Sequence, residues 1–531
     1  MTQQSLARPR HAWSTPGWDS EKPCADGVAH ELWCYTDKPS YHFGETVRVH
    51  LHSTVQQLEL SVIRDGLQPR TAMVRNLHGD FRQQTPEDCY AKGCNWQVAC
   101  DFVLDDNWQP GFYLLKLKAV VAGQVLETEH FFVLKAGMVK QKAAILLTTS
   151  TLAAYNDWGG ANAYRGVPGS NDASPETSLL RPLGKGFLHI PEGAPRNSHA
   201  FTPPPGWVPH HEVYEWARAN GYSRHYSDAF WATYERPFVV WAEAQGYAFD
   251  YLTQWDLHLE QGLLDDYSCL VIVGHDEYWS WEMRDELDRY LDNGGNLARF
   301  AGNFIWQVRL SEDASRQYCY RLPQLDPLCE ENPERVTTFW EHPLINRPSA
   351  ASLGLTGMGG CYARYGTTTP RSAGGFTVYR PEHWALAGTD LYYGDHFGGA
   401  PVCIASFEMD GVEYTFRRGL PYATGEDGAP QDLDIIAMAP AVLGADDHWN
   451  GQVPLGAPAW EVGELIEAAY DNDPPDYMKG KRYGSGMVAC MRKGQGTVFN
   501  AGTCEWVNGL IHRDTFTETI TRNVLNRFIH S

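Results

Sequence analysis

The chain of 531 residues carries a formal net charge of −22, with 43% hydrophobic and 20% charged residues, and reads as a globular protein long enough for two or three domains. An acidic balance without any basic run excludes a phosphate backbone as the main partner, which needs clustered Lys and Arg. No apolar stretch reaches the ~18 residues of a membrane span, and the start, MTQQSLARPRHAWSTPGWDSEKP, lacks the apolar core of a secretory signal, so the expected setting is cytoplasmic, with neither nucleic acid nor membrane as partner.

Residues 1–28 read as an N-terminal extension. From 29 to 137 the segments HELWCYTDK, TVRVHLHS, QLELSVIRD, WQVACDFVL, FYLLKLKAVV and TEHFFVLKA are short, partly alternating and separated by turn residues. They predict an immunoglobulin-like β-sandwich. His50 and His52 share a strand face and have no third ligand nearby, so surface histidines are expected there rather than a metal site.

After Lys135 the pattern changes. AAILLTTS is a near-continuous apolar run of the kind found in buried parallel strands. A helix over RPFVVWAEAQG ending at Gly246, a strand in YAFDYLT, the strand CLVIVG, the helix SWEMRDELDRYLDNGG and the strand NLARFAG follow. Ser280 is placed as the helix N-cap and Gly294–Gly295 as its end. This alternation predicts an α/β domain over 138–531 with a parallel sheet, whose ligands would lie beyond the carboxyl ends of the strands. A β-rich excursion is expected at about 335–480, with a hairpin turn at Asp410–Gly411. GTVFNAGTCEW and TFTETITRNVLNRFIH supply a closing strand and helix. The 12 cysteines include no CxxC pair and are expected as reduced thiols.

At the predicted strand ends stand His275, Asp276, Glu277 and Tyr278, and Gly302 with Asn303. No G-x-S-x-G, G-x-G-x-x-G or P-loop pattern follows a strand, which counts against serine hydrolases, dinucleotide enzymes and ATPases. His275 with Glu277 offers a nitrogen and an oxygen ligand, or a base and its partner, on one turn; the plainer reading is acidic residues favouring a helix dipole. TTSTLAAYNDWGGANAYRG presents Tyr155, Asn156, Asp157 and Trp158 before a Gly–Gly pair, either as a site loop or as an aromatic plug. PHHEVYEW resembles H-E-x-x-H only superficially and reads as a polar helix face. Trp158, Tyr278, Trp279, Phe304 and Trp306 are expected to wall an apolar pocket.

The stretches LTTSTLAAYNDWGG, ERPFVVWAEAQGYAFDYLTQWDLH, LVIVGHDEYWSWEMRDELDRYLDNGGNLARFAGNFIWQVR, HWALAGTDLYYGD and GTVFNAGTCEWVNGL together resemble the catalytic region of the N,N-dimethylformamidase large (beta) subunit family, without that subunit's lectin-like insertion. The resemblance implies a glutamine-amidotransferase-like fold without its cysteine, and a mononuclear ferric centre held by two tyrosines and a glutamate. Carried onto this chain, the first tyrosine is Tyr155 and the glutamate Glu277, with His275, Asn303 and Glu413 around substrate and water. No tyrosine lies between Tyr164 and Tyr214, where the second is expected, so His199 is put forward as third ligand. That exchange would leave room for Fe²⁺ or Zn²⁺ beside Fe³⁺. The expected function is metal-dependent cleavage of a small N-substituted amide, with a separate small subunit and a homo-oligomer as partners. The alternatives are a non-catalytic binding or assembly protein on the same scaffold, and a metal-free hydrolase using His275 and Glu277.

Overall fold

Alternation in TVRVHLHS and QLELSVIR places Val47, Val49 and Leu51, and Leu58, Leu60 and Val62, on single faces, and those faces meet. In the computed structural model, which describes residues 21–23, 29–164, 174–198, 212–360, 368–370, 374–443, 470, 473–477, 479 and 483–530, they belong to two sheets sharing one core. A three-stranded sheet runs in the order Leu32–Thr36, Thr46–Ser53, Val98–Val103; a five-stranded one in the order Ser40–Tyr41, Gln124–Leu134, Gly111–Val121, Gln57–Arg64, Arg70–His78. The last strand was not expected: it is an edge strand with Leu77 as its only fully buried residue, so it carries little hydrophobic period. Of His50 and His52, the second is buried and the first half-buried. The segment 83–96 covers them, His50 Nδ1 lying 2.7 Å from the Trp96 carbonyl and His52 Nδ1 3.0 Å from that of Gln83.

The outer face of the five-stranded sheet packs on the rest of the chain through Phe112, Phe131 and Val133, with Phe112 stacked on Trp231 at 3.7 Å. Polar ties accompany this contact. Trp231 Nε1 and Arg236 Nε each donate to Asp65 at 2.8 Å, and Lys135 Nζ reaches Asp256 at 2.8 Å.

The remaining chain builds a mixed α/β fold on a 10-stranded sheet. Asp250–Thr253, Ala143–Leu147, Cys269–His275, Asn296–Gly302 and Gly496–Asn500 run parallel in that spatial order. Tyr483–Lys493, Asp434–Leu443, Phe376–Val378 and His396–Phe397 continue it antiparallel, and the tenth strand, Thr368–Pro370, pairs with Asp434–Leu443 beside them. The sheet is therefore parallel over half its width only, and among the described residues of 335–480 the strands Thr368–Pro370, Phe376–Val378, His396–Phe397 and Asp434–Leu443 belong to it. Asp410–Gly411 is not a hairpin turn. Gly411 bridges Thr356, the Asp410 side chain is buried, and the hairpin lies further on, between Tyr414–Arg417 and Leu420–Ala423, where Arg418 and Gly419 take φ of 52° and 83°.

Helices cover the sheet as the sequence predicts. Glu235–Ala244 precedes Gly246 at φ 87°, and Trp281–Asp292 is capped by Ser280, whose Oγ accepts from the Met283 amide. Thr515–Ile529 is capped by Asp514. Among the described residues no helix is long and apolar enough to cross a membrane, and the ten described cysteines are free thiols, Cys100 and Cys329 half-buried and the other eight buried.

Two features bring the strand ends together. His275 stands opposite Gly302 in the parallel ladder, so these two strands finish level. Directly beyond, Tyr278–Ser280 pairs with Trp306–Leu310, beginning a four-stranded sheet completed by Arg316–Tyr318 and Glu176–Ser178. The chain thus leaves one sheet and enters another across Asp276 and Glu277.

Candidate active site

Gly274 makes this transition possible. It takes φ 82°, and a Cβ there would lie 2.3 Å from Tyr234 Cβ. Glu277 follows, fully buried, with its amide on Thr151 Oγ1 at 3.1 Å. Its carboxylate is the focus of the site. Tyr155 donates to Oε2 at 2.9 Å, Tyr164 lies 2.7 Å from both oxygens, and Trp306 Nε1 donates to Oε1 at 2.7 Å. Tyr278 donates to the Tyr164 hydroxyl at 2.5 Å, and Arg321 Nη2 to that of Tyr278 at 2.8 Å. Burial, then the charge of Glu277, hold the Tyr155 phenol well above its ordinary pKa.

Tyr155 ends the helix Thr149–Tyr155 that follows the strand Ala143–Leu147. The loop then doubles back. Gly159 and Gly160 turn it at φ 90° and 112°, the Ala163 amide donates to the Ala154 carbonyl at 3.0 Å, and Asn162 Nδ2 to that of Tyr155 at 2.8 Å. Tyr164 is thereby returned against Tyr155, ring centroids 4.4 Å apart. The second phenol lies nine residues after the first in sequence. The Gly–Gly pair marks a turn in the sequence, but not the bonds that bring Tyr164 back.

A second group adjoins the first. His275 Nδ1 donates to the Asp228 carbonyl at 2.7 Å, and its Nε2 lies 2.6 Å from Glu408 Oε2 and 3.3 Å from Glu277 Oε2. Burial alone would push the imidazole down; the Glu408 carboxylate, helped by Glu277, overrides it and holds His275 up to about 10. Burial raises Glu408 to about 7 against the pull of His275. Each group thus favours the other's charged form in a setting closed to solvent, with Nε2 and Oε2 2.6 Å apart. Asn303 Nδ2 donates to Glu408 at 2.9 Å, while its Oδ1 is buried without a hydrogen-bond partner. Asn303 itself sits at φ 63°, in the left-handed region that Asn tolerates, with its amide on Asp410 Oδ1 at 2.6 Å. Beneath lies Arg299, fully buried between Asp276 and Asp410 and hydrogen-bonded to Asn500.

His275, Glu408 and Cys504 form a second donor set, their ligand atoms all within 4.8 Å of one another. Burial, with Glu408 and Asp410, keeps the Cys504 thiol well above its ordinary pKa.

The structure brings Tyr155, Glu277, His275 and Asn303 together, as expected. The carboxylate nearest His275 Nε2 is Glu408, at 2.6 Å; Glu413 is buried five residues further on, its amide donating to Asp427 Oδ2 at 2.5 Å. His199 lies outside the described residues. Trp158 is no pocket wall: it packs with Trp33 and Trp96 from the sandwich side, at 5.7 and 5.9 Å. Tyr278 and Trp306 do reach the site, whereas Trp279 packs on Phe304, ring centroids 5.1 Å apart, within the core.

The profile of the family described as N,N-dimethylformamidase beta subunit-like, C-terminal, matches residues 65–518. No curated protein matches. Among solved structures, the β-glucuronidase of Parabacteroides merdae is similar at 9% identity over 47% of this chain and 24% of its own, with a TM-score of 0.15, a likeness too slight to support any argument. The profile spans the returning loop, both strand ends and the segment bearing Glu408, and on that extent the chain belongs to the N,N-dimethylformamidase beta subunit-like family.

Proposed function

We propose that the protein is a metal-dependent amidohydrolase cleaving the C–N bond of a small N-substituted amide such as a formamide. In this reading a glutamine-amidotransferase-like sheet carries the site, the preceding sandwich is immunoglobulin-like, and the chain works in the cytoplasm as a large subunit beside a small one. The observation that carries it is the convergence of two phenols and one carboxylate, Tyr155, Tyr164 and Glu277, within 2.7–2.9 Å. These donors fit a hard trivalent ion, since all are oxygens and all can carry negative charge. Tyr164 supplies the second phenol without recourse to His199. Bound there, a ferric ion supplies Lewis acidity toward an amide carbonyl and toward water.

The chain's own residues supply the rest. His275 and Glu408, 2.6 Å apart, take a proton from water and return it to the departing amine, so that amide and water become acid and amine. Asn303 positions Glu408 through Nδ2 and offers its unpartnered Oδ1 to the attacking water. The surrounding rings of Tyr155, Tyr164 and Phe407 exclude bulk solvent.

Metal analysis of the purified protein with Glu277→Gln and Tyr164→Phe tests this reading. Stoichiometric iron in the parent, lost in both variants together with formamide hydrolysis, is the expected result. A second reading rests on the donor set of His275, Glu408 and Cys504, whose softer atoms suit zinc. Zinc retained in Tyr164→Phe and lost in Cys504→Ser would select it. Full turnover by metal-free protein would overturn both.

A further inference from the structure

His225 stands outside every role assigned so far, yet it is built into the site. It is 2% exposed, and its Nδ1 lies 2.7 Å from Asp228 Oδ2. Asp228 is itself fixed: Asn197 Nδ2 donates to its other oxygen at 2.7 Å, and its carbonyl accepts from His275 Nδ1 at 2.7 Å. A carboxylate on Nδ1 keeps the proton there and leaves the lone pair on Nε2. That Nε2 is buried and has no hydrogen-bond partner. Leaving a buried acceptor unmatched is costly, and native sites retain one where something else takes the lone pair.

The ring's neighbours indicate what takes it. His225 meets the Tyr155 ring edge-on at 5.2 Å and the Tyr164 ring at 5.8 Å, the two phenols that converge on Glu277. A carboxylate that holds a histidine through one ring nitrogen and leaves the other free is the recurrent arrangement behind metal-ligating histidines, and here the ring that has it packs against both phenols.

We propose that His225 supplies a nitrogen ligand, through Nε2, to the ion held by Tyr155, Tyr164 and Glu277, with Asp228 as its orienting partner. The inference rests on the metal reading above. It makes the donor set one nitrogen and three oxygens, which leaves fewer open positions for substrate and water than three oxygens alone. It also places the nitrogen on an element distinct from the strand end that carries Glu277 and His275.

The test uses the full-length protein loaded with iron, read by metal content after dialysis against a chelator and by pulsed electron paramagnetic resonance. The parent should show modulation from an imidazole nitrogen. His225→Gln should lose that modulation and release iron about 10-fold or more readily, while His275→Gln keeps the modulation. Iron held by the parent without any nitrogen coupling overturns the inference and leaves the oxygen site standing, a result that needs no variant to fold. A nitrogen signal that vanishes in His275→Gln and persists in His225→Gln overturns it equally. A parent that takes up no iron overturns both the inference and the reading beneath it.

Discussion

At the scale of single residues, Gly302 shows how little room the site leaves. A Cβ added there would lie 2.6 Å from the Glu408 carbonyl and 2.7 Å from the Cys504 amide, both backbone atoms. Gly302→Ala should therefore destabilise the protein by about 1–3 kcal/mol, measured by chemical denaturation, and lower kcat by displacing Glu408. If the ion sits on Tyr155, Tyr164 and Glu277 as proposed, Glu408→Gln should leave metal content unchanged and lose about 10²- to 10⁴-fold in kcat, the span of a general acid–base contribution; unchanged turnover would remove Glu408 from proton transfer. Single positions also mark where sequence reading stops. His275, Glu277 and Asn303 were legible because a buried strand that ends in polar residues points to them. Glu408 was not, because its segment is held by isolated bridges, Met409 to Thr503 and Gly411 to Thr356, with no local period to announce them. Tyr164 was visible as a residue, but its return onto Tyr155 depends on loop bonds that sequence spacing does not encode.

At the scale of elements, the central strands and the helices Glu235–Ala244, Trp281–Asp292 and Thr515–Ile529 were read nearly to their ends, since capping residues and apolar runs are local signals, whereas the short helices Thr149–Tyr155, Gln254–Leu259 and Trp506–Ile511 were not. The antiparallel half of the sheet was not. Phe376–Val378 and His396–Phe397 are too short to carry a period, and they find their places only through long-range pairing. What ties the strand ends is Arg299, which joins its own strand to Asp276 beyond the neighbouring strand and to Asn500 at the end of another. Arg299→Leu would leave Asp276 and Asp410 buried without their counter-charge, and should cost about 3–5 kcal/mol with loss of activity, measured by urea denaturation. Asp514→Ala removes only the cap of the last helix and should cost about 1 kcal/mol, read in the same experiment, with turnover retained.

At the scale of the whole molecule, the sandwich and the large sheet share an apolar face, with Phe112 on Trp231 and the Asp65 carboxylate on Trp231 and Arg236. A chain starting at residue 138 would expose Phe230 and Trp231. It should be insoluble or melt well below the full chain, whose two parts should unfold in one transition; a stable, soluble truncation would show the two to be independent. The buried thiols extend this argument to time. Alkylation followed peptide by peptide cannot reach Cys269 until the central strands part, nor Cys504 until the ground beneath His275 and Glu408 opens, whereas Cys100 and Cys329 are reached far sooner. The protein thus carries its own set of clocks. If Cys504 reacts before Cys269, the pocket breathes while the sheet stays closed, and substrate entry has a rate that can be measured without any substrate.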